Sequence, residues 1–370
     1  MSELPLFDLT LTEEQALMRD TVRKFAATEM RVHSRSADEA GRAPEGFYEK
    51  SVELGFNMVP IAEDQGGLGA ERSPVSNMLI IEDLAYGDMS LALGAVSSLS
   101  FINAVIDHGS DAQQQALLPA FTEDGFRPAS VALMEPGLRF DPLKPKTRAR
   151  KVADGYVLDG VKTMVPLGGS AEVMLVVADE QDRGPAAFVV ERGQAGLEAS
   201  DERFMGLRPL QLSKLTLSDV KLPASARLGG PEGSFDLRRL VDLSRIGVAA
   251  ASLGVGQAIL DYVKDYCSER VAFGEPITHR QSVAFMIADI AIELDAMRLM
   301  VYRAAARAEQ GLDFRREAYL ARVQCADKGM KIGTDGVQLL GGHGFIREHM
   351  VELWYRNMRA VGILEGCASV

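Results

Sequence analysis

The chain has 370 residues, of which 47% are apolar and 25% charged, a balance that belongs to a globular rather than a disordered protein. That length exceeds what one compact core holds, so two or three packed units are expected. A formal net charge of −12 argues against broad nucleic-acid binding, which needs a basic surface, but leaves room for a local basic pocket that takes a phosphorylated ligand.

Residues 1–125 read as helical. Thr12 and Gln15 have the spacing of a capping box and open a helix that runs through Phe25. A second helix covers Pro74 to about Tyr86, and Asp64-Gln65-Gly66-Gly67-Leu68-Gly69 between them reads as a loop. From Arg127 the period changes. Thr147 to Val152, Gly155 to Asp159 and Val161 to Met164 are short runs separated by Asp154-Gly155 and Asp159-Gly160, both hairpin signals. Val173 to Ala178, Ala187 to Glu191 and Leu212 to Leu222 continue the strand pattern.

After Gly229-Gly230-Pro231 the helical period returns, with long helices expected near 239–268, 281–308 and 313–339. Met286, Ile290, Leu294, Met297 and Val301 form one apolar stripe, with Asp295 and Arg303 off it. The Met-rich stretch 286–300 therefore reads as core, and His343 as a loop residue. The expected fold is α+β, in three parts: a helical domain over 1–125, an antiparallel β domain over 126–230, and a helical domain over 231–370 that packs as a four-helix bundle.

Three scattered cysteines, Cys267, Cys325 and Cys367, with no C-x-x-C pair, suit a reduced, cytoplasmic setting. The five histidines lack metal-ligand spacing. Met1–Glu14 lacks the basic-then-apolar order of a signal peptide. The most apolar helix candidate, Val248 to Leu260, falls short of the roughly 20 residues that span a bilayer. No metal, membrane or nucleic-acid partner is expected.

Six separated pieces resemble the acyl-CoA dehydrogenase family, in order and in register across almost the whole chain. They are Asp64 to Ala70; Glu135-Pro136-Gly137 with Asp141 and Lys146-Thr147; Gly155 to Lys162; Arg270-Val271-Ala272-Phe273-Gly274 with Gln281; Val337-Gln338 with Gly341-Gly342-His343-Gly344-Phe345; and Leu364-Glu365-Gly366-Cys367. The resemblance implies the same three-domain fold, bound FAD, an acyl-CoA substrate and an electron-transfer flavoprotein-type acceptor. It also implies assembly, as a homo-tetramer, dimer or hetero-oligomer. The implied reaction is α,β-dehydrogenation: a carboxylate takes the α proton while a hydride leaves the β carbon for flavin N5.

By resemblance Glu365, followed by Gly366, is the base, desolvated so that its pKa rises, and its backbone N–H faces the thioester oxygen. From local sequence alone it reads as a solvated glutamate. Some branches of the family carry the base on an earlier helix, where this chain has Ser244 before Arg245. Arg270, with Phe273 and Gln281 nearby, is placed at the FAD pyrophosphate, where a guanidinium pairs with phosphate oxygens; a helix C-terminal arginine satisfying carbonyls is the other reading. Gln338, Gly341 and Gly342 are placed at the adenosine half of FAD from a neighbouring subunit, or mark a plain turn. Asp242 and Arg245 align with residues that contact the CoA nucleotide, or form an i,i+3 ion pair.

The departures from the family cluster at the flavin ring. Met134 stands where the family has a Thr, Phe140 replaces a Ser near the substrate, Met164 replaces a ring-packing aromatic, and Pro166, with no N–H, replaces Thr or Ser. Ala272 replaces a hydroxyl residue, Asn357 an Asp and Cys367 a Thr, and Val370 falls short of the usual terminal helix. Each hydrogen bond lost at a buried cofactor weakens binding by about 1–3 kcal/mol. Three readings follow. The first is an active dehydrogenase, the second a silent or partner subunit that completes another chain's flavin site. The third is a related oxidase of acyl-CoA or nitroalkanes, the nitroalkane branch being disfavoured because it prefers Asp as base.

Overall fold

The computed structural model describes residues 9–370. The first eight residues, which belong to the first expected domain and to the signal-peptide reading, lie outside the described residues. The N-terminal part is helical: α1 (Glu13–Phe25), α2 (Ser34–Ala40), α3 (Phe47–Val52), α4 (Pro74–Gly87), α5 (Met89–Ala95), α6 (Ser97–His108) and α7 (Asp111–Leu117). The Thr12–Gln15 capping box forms as expected, each side chain bonded to the other's backbone N–H at 3.1 Å. A π-helical turn, Ala26–Arg31, then prolongs α1.

Seven strands follow: β1 (Ala129–Ala132), β2 (Arg148–Val152), β3 (Gly155–Val165), β4 (Val173–Glu180), β5 (Gly184–Glu191), β6 (Leu197–Asp201) and β7 (Ser213–Pro223). They form one sheet in the order β1-β4-β2-β3-β7-β6, with β5 on the other edge of β4. The expectation of a purely antiparallel domain is corrected at two places, because β1 and β2 both run parallel to β4. The second correction concerns Asp159-Gly160, which is a bulge inside the continuous strand β3 rather than a hairpin. A Cβ on Gly160 would stand 2.6 Å from the Thr147 hydroxyl, so the glycine permits a close crossing instead of a reversal. Asp154-Gly155 does close the β2–β3 hairpin.

The C-terminal part holds α8 (Leu237–Glu269), a two-residue hairpin of β8 (Val271–Ala272) and β9 (Glu275–Pro276), α9 (Gln281–Glu309), α10 (Arg315–Leu339) and α11 (Val351–Met358). Its bundle is three long helices with the short α11 beside α10. The α9 stripe faces inward: Ile290, Leu294, Met297 and Val301 are buried and Met286 partly so. Two helical stretches, Met89–His108 and Leu237–Glu269, are long and apolar enough to cross a bilayer, which corrects the expectation drawn from Val248 to Leu260. Those apolar windows are 94% and 78% buried inside the fold.

Helix α8 organises the molecule because small residues let other backbones touch it. A Cβ on Gly247 would lie 1.9 Å from the Ala368 carbonyl oxygen, and one on Gly254 would lie 2.1 Å from that of Glu82 in α4. Asn357 in α11 joins all three parts, accepting the Leu207 N–H at 2.8 Å and reaching the Ser90 hydroxyl at 3.5 Å. Replacing Gly254 by alanine forces α4 and α8 apart. Urea denaturation is expected to show a loss of about 1–3 kcal/mol, with an unchanged dependence on denaturant.

Candidate active site

Glu365 lies just beyond α11, on the segment that turns back against α8. The turn needs Gly366 at φ +79°, where a Cβ would also press to 2.8 Å on the Leu133 side chain. The Glu365 side chain is 12% exposed and both its oxygens face Arg245 of α8. Arg245 Nε stands 3.3 and 3.2 Å from the two oxygens, and its terminal nitrogen is 3.3 Å from Oε1. Asp242, one turn earlier, accepts from Arg245 at 3.2 Å, and burial lifts its carboxyl above the usual range despite that cation. Glu365 is thus shielded from water, as the resemblance implies for the base, and is at the same time ion-paired.

Met134, two residues beyond β1, touches the same residue. Its Sδ accepts the backbone N–H of Glu365 at 3.4 Å, and its carbonyl accepts the N–H of Thr163 at 3.0 Å. Met164 takes a left-handed conformation, φ +52°, and donates its N–H to Glu202 at 2.7 Å. Pro166 is buried and its carbonyl accepts from the Ser130 hydroxyl. Phe140 is half-buried and packs against two apolar clusters of the core. Met134, Met164, Pro166, Gly366 and Glu365 thus form one neighbourhood, where the β sheet meets the C-terminal segment.

The other sequence-derived residues lie elsewhere. Arg270, exposed, follows the last residue of α8, so its 25 positions from Arg245 place it roughly 37 Å along the helix at about 1.5 Å per residue. Phe273 is 94% exposed, and Gln281, Gln338, Gly341 and Gly342 are exposed too. The ends of α8 and α10 are joined there, since Tyr266 bonds His343 Nδ1 at 2.7 Å and the Leu340 carbonyl at 3.5 Å. His343, expected as a bare loop residue, is part of that joint and stacks on His349. One chain therefore presents Glu365 and the Arg270–Gly342 group as two separate places.

Three family profiles match in sequence: the acyl-CoA dehydrogenase N-terminal domain over residues 12–124, the middle domain over 130–220 and the C-terminal domain over 236–370. The chain belongs to the acyl-CoA dehydrogenase family. A probable acyl-CoA dehydrogenase, FadE25 of Mycobacterium tuberculosis, is 34% identical over 99% of this chain and 95% of its own length. The solved butyryl-CoA dehydrogenase of Megasphaera elsdenii superposes with a TM-score of 0.88 at 30% identity, covering 96% of this chain and 95% of that one. A solved chain described with the electron transferring flavoprotein of Acidaminococcus fermentans matches at 29% identity and a TM-score of 0.88, over 96% and 95% of the two chains.

Sequence reasoning missed several residues of this candidate site. Glu202 holds the end of β3, accepting from the Thr163 hydroxyl as well as from Met164. Arg322 of α10 comes to 4.0 Å from Glu365 Oε1. Lys162 is fully buried and binds Glu135 at 2.7 Å and the Leu133 carbonyl at 3.2 Å, fixing the segment that carries Met134. Burial pushes the Lys162 ammonium down to about 8, against the pull of Glu135. Burial would raise the Glu135 carboxyl, but Lys162 and the N–H groups of Thr147 and Lys146 together hold it below the usual range.

Removing one partner leaves the other charge buried, so Lys162→Met is expected to lose about 3–5 kcal/mol at pH 7, and Glu135→Gln/Lys162→Met to regain most of it. The folded-state value of Glu135 lies below its unfolded value, so its contribution is complete above pH about 4.5 and drains away as pH falls through the folded value. Denaturation across pH should show that acid limb in the wild type and a weaker one in the double variant.

Proposed function

We propose that the chain binds FAD and dehydrogenates an acyl-CoA thioester between its α and β carbons, with Glu365 as the base that takes the α proton. The observation that carries this reading is a water-shielded carboxylate and its own backbone N–H presented together at the junction of the β sheet and α8. The N–H suits the thioester oxygen, on which negative charge develops as the α proton leaves. At rest Met134 Sδ takes that donor; a thioether is a weak acceptor on a flexible side chain, so a thioester oxygen outcompetes it.

The residues fit a dinucleotide at the far end of the bundle, where Arg270, Gln338 and the open backbone of Gly341-Gly342 are exposed for phosphate and adenosine. Bound FAD would supply the hydride acceptor. Because that group and Glu365 stand roughly 37 Å apart along α8 at about 1.5 Å per residue, each flavin takes its phosphate and adenosine contacts from a second copy of the chain, in a homo-oligomer. Arg245, held by the buried Asp242, lines the pocket beside Glu365 on the approach for the CoA portion. The electrons leave through an electron-transfer flavoprotein-type acceptor, a link supported by the Acidaminococcus relative.

A second reading, a silent or partner subunit, is favoured by the ring end. There the Glu365 N–H goes to Met134, the Met164 N–H goes to Glu202, and Pro166 has none. A visible absorption spectrum separates the two. The proposed enzyme, expressed alone and loaded with FAD, is yellow and bleaches with an acyl-CoA; colourless protein that resists loading and co-purifies with a second dehydrogenase supports the partner role. In the yellow protein, Glu365→Gln is expected to lower kcat by about 10²–10⁴-fold while acyl-CoA still binds. Unchanged turnover would remove Glu365 from the chemistry.

A further inference from the structure

Arg322 is a charge at a core position of α10, in helical register with the buried Ala318, Cys325, Gly329 and Ile332. Its side chain is only 9% exposed. It donates to the Leu364 carbonyl at 3.0 Å and reaches to 4.0 Å from Glu365 Oε1, while its Nε has no hydrogen-bond partner. Burial lowers its pKa and Glu365 raises it, while Arg245 lowers it again, so the glutamate is the nearby charge that favours the cation most. Arg245 and Arg322 thus grip one carboxylate from two helices.

The same two arginines, with Arg359, Tyr319 and Glu365, line a pocket of about 460 Å³ between α10 and the segment 359–365. Arg359 is exposed and has no ion-pair partner among the described residues. Were Glu365 to leave for a substrate carbon, Arg322 would lose its anion and Arg245 would keep only Asp242. A buried cation stripped of its partner is strongly disfavoured. The carboxylate therefore departs readily only when another anion takes its place.

We infer that Arg245 and Arg322 form an oxyanion seat, filled at rest by Glu365 and taken over by an anionic group of the substrate, which frees the carboxylate for proton abstraction. Arg322 is in this sense a positioning residue. The release step rests on Glu365 being the base; the seat itself does not. A phosphate of the CoA portion and a second carboxylate on the acyl group both carry the required chemistry.

Calorimetric titration with inorganic phosphate and with succinate tests the seat without any turnover. Glu365→Gln empties the seat of charge, so it should bind at least one of the two anions about tenfold more tightly than the wild type. Tighter phosphate binding points to CoA, and tighter succinate binding to a dicarboxylic acyl group. Adding Arg322→Gln should abolish the gain. If that variant does not fold by circular dichroism, Arg322→Lys should reduce the gain, because an ammonium lacks the guanidinium fork. Equal affinity in wild type and Glu365→Gln, or a gain that survives the loss of Arg322, overturns the inference. Failure of the dehydrogenase reading shows separately, as turnover that persists in Glu365→Gln while the anion gain remains.

Discussion

The ion pair between Arg245 and Glu365 is the contact on which the site depends, and it exists because α8 is approached so closely. Gly247 admits the backbone of Ala368, and Gly254 admits the backbone of α4. With the C-terminal segment laid directly on α8, Glu365 is carried to within 3.2 Å of Arg245 and its N–H to Met134 on the β domain. Helix, sheet and C-terminal segment thus meet at one residue. A larger side chain at either glycine would shift all three.

Charge is handled differently in the two buried clusters. Glu135 and Lys162 pair with each other and with surrounding backbone, so that cluster is complete within the fold and fixes a loop. Around Glu365 the cations outnumber what one carboxylate satisfies, and the Nε of Arg322 is left without a partner. A satisfied network makes a scaffold, whereas an under-satisfied one at a pocket makes a place for a ligand. The overall excess of acid in the chain, −12, makes this local concentration of arginine the more pronounced.

The separation of Glu365 from Arg270 follows from the length of α8, along which Arg245 and Arg270 lie 25 positions apart. Exposed Phe273, Gln281, Gln338 and the glycine pair stand with Arg270 at the C-terminal end of α8, while the carboxylate stands beside Arg245 in its N-terminal third. Within one chain the two groups are too far apart to surround one ligand. The joint of Tyr266 with His343 and Leu340 keeps that end ordered within each chain.

The amino-acid sequence by itself determined the helix–strand–helix order, the capping box at Thr12, the inward stripe of α9 and the family resemblance, because these depend on local period and short motifs. It also placed Glu365 beside a glycine whose left-handed conformation the turn requires. Reading Asp159-Gly160 as a hairpin failed because a glycine that permits a bulge and one that permits a reversal have the same local signature; the nearness of Thr147 decides between them. Arg322 carried a readable signal, a charge in the buried register of α10, but its meaning needed Leu364 and Glu365 beside it. Which N–H Met134 takes, which cation grips the carboxylate and how far Arg270 stands from it were settled only by tertiary structure. Those are contacts between residues tens to hundreds of positions apart, and no local pattern encodes a distance of that kind.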